Sequence, residues 1–303
     1  EEYGYWQLYM FYSAYVGFMQ FGWNDGIYLR YGGSKYSDLD KSLFFSQFWM
    51  LALSQIIIAS IIIMSSVYFV SEVNKQYIFI MVALCLIIMG VRVMLLFILQ
   101  ATNRIKEYAQ ITVIDKLMYV SILVVFLLLG VKEYKILILA DLAGKFLSLI
   151  FSIYCCRDFV FSKISTFYFS FSETLENIRV GSKLMLANIA SMLIIGIVKF
   201  GIEQTWGVST FGKVSLTLSI SNMMMVFINA VGIIMFPILR RTSQDKLLSI
   251  YSVMREVLMV TSLGMLILYY PIKTIMAAWL PQYAESLLYM ALVFPIFIYE
   301  AKM

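Results

Sequence analysis

Nine apolar stretches, each about as long as a bilayer-crossing helix, follow one another along this chain. They lie at roughly 6–28, 44–70, 77–100, 113–130, 135–154, 184–202, 213–236, 254–272 and 284–301. The longest connection, 156–183, leaves no room for a soluble domain. Apolar residues make up 62% of the chain and charged ones 14%, against about a quarter charged in a soluble domain. The excess is spread over the whole length, so the chain reads as an all-α polytopic membrane protein and not as a soluble domain with one anchor.

The basic residues give an orientation. The first, third, fifth and seventh connections carry fourteen Lys and Arg, beginning with Arg30, Lys35 and Lys41, and the even ones carry six. Cytoplasmic connections are the basic ones, so the odd connections face the cytoplasm and residue 1 starts outside. The chain does not begin with Met and it closes inside an apolar run, so both ends read as cut.

A weak repeat runs through the chain. Tyr3-Gly4 lies 208 residues before Phe211-Gly212, Leu8 falls on Leu216 at the same offset, and Leu29-Arg30 precedes Leu239-Arg240 by 210. The offset also lays 44–70 on 254–272 and 77–100 on 284–301. Six helices separate the copies, an even number, so the repeats are parallel and related by an axis along the membrane normal. This predicts twelve helices, with one before residue 1 and two after residue 303; a fourteen-helix protein needs four after. The expected domains are an N-terminal lobe at 1–155, a cytoplasmic interfacial linker at 156–183 and a C-terminal lobe at 184–303. Ser170 and Glu173 in that linker have the spacing of a capping box.

Charges at membrane depth cost about 2.5–3.5 kcal/mol each on insertion scales and usually face a cavity. Arg92 sits mid-helix in "CLIIMGVRVMLLFILQ". It reads either as a cation for a phosphate group or as a structural or snorkelling side chain. Asp141 and Lys145, spaced i,i+4, share a helix face and can pair; a structural pair and a polar cavity lining are both open. Lys199 and Glu203 have the same spacing, on a helix that carries Asn188 and the small residues Ala187 and Ala190. Asp25 and Arg30 close the first helix in "FGWNDGIYLRYGG", where Gly22, Gly26, Gly32 and Gly33 loosen the end. That end reads as a plain terminus anchored by Trp23 or as a flexible polar gate. Glu300 lies in the last helix. The tryptophans fall near helix ends, as interface belts do.

Some chemistry is excluded. The chain has no histidine, so it has no Ser-His or Cys-His nucleophile. Its three cysteines, with Cys155 and Cys156 adjacent, form neither a disulfide framework nor a zinc spacing. No metal, cofactor, catalytic residue or nucleic-acid partner is expected.

"YGYWQLYMFYSAYVGFMQFGWNDGIYLRYGG", followed later by "GSKLMLANIASMLIIGIVKFGIEQTWGVSTFGKVSLTLSISNMMMVFINAVGIIMFPILRR", resembles the Wzx-type polysaccharide flippases of the multidrug/oligosaccharidyl-lipid/polysaccharide exporter superfamily. The resemblance covers essentially the whole chain. It implies two six-helix lobes around a central cavity that opens alternately to each side of a bacterial plasma (inner) membrane. The implied cargo is a polyprenyl-diphosphate-linked oligosaccharide carried to the outer leaflet, with a polysaccharide polymerase and chain-length machinery as partners besides the lipid bilayer. It implies cationic cavity residues for the diphosphate: Arg92 first, then Arg30, Lys145 and Lys199. Asp25, Asp141, Glu203 and Asn188 are the matching cavity or coupling positions. A cation-coupled drug antiporter of the same superfamily is the alternative; it needs a carboxylate-rich pocket, and cations here are as prominent as carboxylates. A membrane enzyme of polysaccharide assembly would often carry a long extracytoplasmic loop or a histidine motif. A major-facilitator transporter would carry its Gly-x-x-x-Asp-Arg loop near 24–43, and "NDGIYLRYGGSKYSDLDKS" lacks it.

Overall fold

The computed structural model describes residues 2–130, 133–241, 244–281, 287, 290 and 291, with side chains omitted at 127, 191, 194, 221–241, 244 and 246. The protein is an all-α polytopic membrane protein, and the described residues contain no strand. Five helices are long and apolar enough to cross a membrane among those residues, and a sixth if Phe171–Ala190 and Ile195–Ile220 are one span. The chain forms two compact units, Glu1–Gln204 and Thr205–Met303.

The first unit begins with α1 (Glu2–Tyr15) and α2 (Trp23–Arg30), joined by a 3-10 turn at Val16–Gln20. The continuous first helix expected at 6–28 is therefore broken. Phe21 (φ 55°) and Gly22 (φ 83°) are both left-handed, a conformation an α-helix cannot contain. Four long helices follow: α3 (Lys41–Phe69), α4 (Val73–Ala101), α5 (Ile105–Leu128) and α6 (Tyr134–Cys155). Asp40 caps α3 by accepting from the backbone N–H of Ser42 at 2.9 Å and of Leu43 at 3.2 Å. Helix α5 starts earlier than the expected 113, because its first turns, "IKEYAQIT", are too polar to register in an apolar count.

Helix α4 is the centre of this unit. It packs against α1, α2, α3, α5 and α6. Of its most apolar stretch 67% is buried inside the protein, against 11% for α5, which faces outward for most of its length. A large apolar cluster gathers Phe44, Phe48 and Leu51 of α3 with Met94, Leu95 and Leu99 of α4, and with Phe159 beyond α6. Residues 157–170 run as the short α7 (Arg157–Val160) and a 3-10 turn at Ile164–Thr166.

Helix α8 (Phe171–Arg241) then begins well before the expected 184, and its backbone leaves the helical region at Gly207 (φ 76°, ψ 177°). The Ser170–Glu173 capping box does not form. The Glu173 carboxylate is engaged by Arg30 and Tyr31, and the Ser170 hydroxyl accepts from Gln47. The second unit continues with α9 (Gln244–Met265), a 3-10 turn at Leu266–Leu268 and α10 (Tyr269–Trp279). Ile220, Leu287 and Met290 form its buried cluster. The helix expected at 284–301, its repeat partner role and Glu300 lie outside the described residues, apart from 287, 290 and 291.

Candidate functional site

The buried charges of the first unit lie in four groups, each built across helices. The innermost is centred on Arg92, which projects from the central helix α4 and is 6% exposed. Its Nη1 forms an ion pair with Asp115 Oδ2 of α5 at 3.0 Å and donates to Ser148 Oγ of α6 at 2.9 Å. Ser148 in turn donates to the Ile111 carbonyl at 3.1 Å. Among the described residues Arg92 Nε, though buried, has no hydrogen-bond partner. Asp115 is the residue the sequence reading missed. The signal was depth: Arg92 lies about 14 Å before the end of α4 and Asp115 about 15 Å after the start of α5, at 1.5 Å per residue. The two helices share one tight connection, so the groups stand at the same level.

The second group lies across α1 and α6. Tyr9, fully buried, donates to Asp141 Oδ2 at 2.7 Å. Lys145 pairs with the same oxygen from one turn further along α6, and its ammonium sits 5.7 Å from the centre of the Tyr9 ring. Asp141 thus accepts two donors on one oxygen, and the charges cancel within one helix.

The third group shows a partner the helical spacing did not give. Glu203, 2% exposed, takes Lys75 of α4 as an ion-pair partner, and Gln204 Nε2 donates to its second oxygen at 2.7 Å. Lys75 also approaches Glu72 at 3.5 Å, and Tyr5 donates to Glu72 at 2.7 Å. Lys199, the expected partner one turn away, is half-buried, and Asn188 is exposed.

The fourth group joins α2 to α8 and answers why "FGWNDGIYLRYGG" carries its polar residues and glycines. Arg30 makes two bonds to Glu173, at 2.6 and 3.2 Å, and one to Asn177 Oδ1 at 2.5 Å. Tyr31 donates to Glu173 at 2.6 Å. Burial pulls the Arg30 guanidinium pKa down, but the hydrogen bond and charge of Glu173 outweigh it and the net direction is up. Behind this pair Gln47 of α3 accepts from Trp23 Nε1 at 2.7 Å and donates to Ser170 Oγ at 2.6 Å.

The glycines let the two backbones touch. A Cβ on Gly22 would meet the Gly181 backbone at 2.6 Å. A Cβ on Gly26 would fall on the Asn177 backbone, and one on Gly181 would fall on the Gly22 carbonyl. Gly22 and Gly26 therefore close a tight crossing and do not loosen the helix end. Asp25 is half-buried beside this crossing.

The cations singled out in the sequence thus sit at different depths of protection. Arg92 and Lys145 are buried against carboxylates, with side chains 7% and 10% exposed, whereas Arg30 is 26% exposed. Reversing the Arg30 charge tests how much its pairing holds. Arg30→Glu is expected to weaken the α2–α8 contact by on the order of 2 kcal/mol, the worth of charge-assisted hydrogen bonds. Adding Glu173→Arg should recover at least half of that loss, measured as the thermal unfolding midpoint in detergent. An unchanged midpoint in the single variant would show that the pair carries no stability.

Among the described residues no group of three or more His, Cys, Asp or Glu could hold a metal ion. A family model described as polysaccharide biosynthesis protein matches residues 1–293. Neither a curated protein nor a solved structure matches the chain. With a family match across nearly the whole of an all-α polytopic chain, the protein belongs to the polysaccharide biosynthesis protein family.

Proposed function

We propose that the protein is a flippase that moves a polyprenyl-diphosphate-linked oligosaccharide from the cytoplasmic to the outer leaflet of a bacterial plasma membrane, for surface polysaccharide assembly. The observation that carries the reading is the family match over residues 1–293 of a multi-pass helical chain. A diphosphate with several sugars cannot cross hydrocarbon unaided, because unpaired polar groups buried there cost several kcal/mol each. A membrane protein of polysaccharide assembly with no histidine and many helices suits carriage of such a cargo better than covalent chemistry on it.

The reading includes two parallel six-helix repeats that alternate access between the two faces. It also includes a polysaccharide polymerase and chain-length machinery as partners. Among the cations, Arg30 is the one best able to exchange a partner for a diphosphate. It is the most exposed of the three whose pairing is described, and it already holds a carboxylate through two bonds, the geometry a phosphate also accepts. Arg92 and Lys145 then keep the bundle together while Lys199 stands as a further cargo contact. Drug export by the same superfamily is the weaker reading, because the matched family is one of polysaccharide biosynthesis.

The test is cellular. Deleting the full-length gene should make lipid-linked oligosaccharide accumulate on the cytoplasmic face of the membrane. Arg30→Gln, expressed at the normal level, should restore flipping only in part. An unchanged pool together with raised sensitivity to cationic drugs would replace this reading with the antiporter.

A further inference from the structure

An apolar groove of about 470 Å³ lies where the start of α3 meets the segment 160–167. Its walls are Phe45 and Trp49 of α3, with Val160, Phe161, Ile164 and Phe167 opposite. The floor is fixed: Phe45 and Val160 are 5% and 3% exposed, and Trp49 Nε1 donates to the Val160 carbonyl at 3.3 Å. The rim is not covered, because Phe161 and Ile164 are 72% and 86% exposed.

The groove continues an exposed apolar surface of α3. Helix α3 is a membrane span, and Trp49, Leu53, Ile56, Ile57, Ile61 and Met64 form one exposed apolar stripe along it at helical spacing. A hydrocarbon chain lying on that stripe passes into the groove without crossing water. Trp49 stands about 12 Å along α3 from Lys41, at 1.5 Å per residue, where an interface tryptophan belongs. Charges flank the lining residues in sequence: Lys163 lies between Ser162 and Ile164, and Arg157 opens the short helix that ends at Val160. Lys41 pairs with Asp158 at 3.5 Å, and Asp40 is occupied in capping α3. That leaves Arg157 and Lys163 exposed, and among the described residues neither makes an ion pair. Two uncompensated cations beside an apolar slot, on the side of the membrane the basic residues mark as cytoplasmic, match a lipid with one negative headgroup.

We propose that this groove binds one acyl chain of an anionic phospholipid of the cytoplasmic leaflet, with the headgroup held by Arg157 and Lys163. The site is independent of the transported cargo and stands or falls apart from the flippase reading. The lipid fixes segment 157–170 to the membrane surface, and through Ser170 and Gln47 it borders the α2–α8 crossing.

Native mass spectrometry of the full-length purified protein, titrated with dioleoyl phosphatidylglycerol and with the phosphatidylcholine of the same chains, tests this directly. The expected result is a preference for phosphatidylglycerol of roughly thirtyfold, the scale set by two basic groups at a membrane surface. Arg157→Gln with Lys163→Gln, both at exposed positions, should abolish the preference. Ser162→Trp, which fills the groove, should weaken retention of both lipids. In a variant with Trp6, Trp23, Trp206 and Trp279 changed to Phe, a phosphatidylglycerol with brominated chains should quench the emission of Trp49 more than the brominated phosphatidylcholine does. Equal retention of the two lipids, a preference that survives the double charge change, or equal quenching of Trp49 by the two brominated lipids overturns the proposal. So does displacement of phosphatidylglycerol by undecaprenyl phosphate at equal concentration, which would assign the groove to a carrier lipid.

Discussion

Arg92→Ala is expected to lower the stability of the protein by about 3 kcal/mol, because it removes the buried partner of Asp115 and leaves that carboxylate only the exposed Lys116, 3.8 Å away. Asp115 is 4% exposed and Ser148 is fully buried, so water cannot readily replace the guanidinium. Asp115→Ala costs a similar amount for the mirror reason. Arg92→Met combined with Asp115→Leu costs far less than the sum, because the uncompensated charge is gone and both side chains keep their volume. The measurement is a double-mutant cycle on detergent-solubilised protein, followed by unfolding midpoint, with flipping assayed in the same variants. If the paired apolar variant is stable and still flips, Arg92 is part of the framework. If it is stable and does not flip, Arg92 meets the cargo. A single Arg92→Ala variant that is as stable as the parent would contradict the pairing itself.

Gly26→Leu, and independently Gly181→Leu, abolishes the tight crossing of α2 on α8. A Cβ at either position lands on backbone, which cannot rotate away as a side chain can. Overpacking of this kind costs typically 1–3 kcal/mol and more where backbone must move. Separation of the helices would also lengthen the Arg30–Glu173 and Arg30–Asn177 bonds, so the total loss should exceed that of Arg30→Glu alone. Gly33→Ala serves as the control: nothing lies within 4 Å of a Cβ there, and its φ of 94° costs only local strain. Protease accessibility of 157–170 in inverted membrane vesicles reads the outcome. Equal protection in Gly26→Leu and Gly33→Ala would mean that the crossing does not hold this face together.

The apolar spans at 44–70, 77–100 and 135–154 were legible because each is a long run whose ends meet charged or polar residues, and α3, α4 and α6 match them closely. The Asp141–Lys145 pair was legible for a local reason, since i,i+4 spacing alone puts the groups together. At Glu203 the spacing did not give Lys75, a partner that comes from another helix. Tertiary contacts decide such pairs whenever a second cation stands at the same depth. The break at Phe21–Gly22 was hidden because its cause, the Gly181 backbone, lies far away in sequence. The start of α8 at 171 was hidden because Glu173 and Asn177 look like loop residues until their partners Arg30 and Gln47 are known. Among the candidate site residues, the buried positions of Arg92, Asp141 and Glu203 followed from charge in an apolar run. The ion-pair partners Asp115 of Arg92 and Lys75 of Glu203, and the Tyr9 hydroxyl that donates to Asp141, did not.

The order of the charged pairs along the chain bears on how the protein enters its membrane. Asp141 and Lys145 neutralise each other on one helix, so the middle of α6 carries no net charge into lipid at any stage. Arg92 and Asp115 belong to α4 and α5, consecutive segments joined by a turn at 102–104. Alone, α4 would hold Arg92 as a bare ion, whereas Asp115 of α5 already has Lys116 of its own helix at 3.8 Å; the hairpin gives Arg92 its carboxylate. The ribosome delivers α4 first, and α4 gains its counter-ion only when α5 follows. Entry of α4 and α5 into the bilayer as one hairpin is the expected order of synthesis.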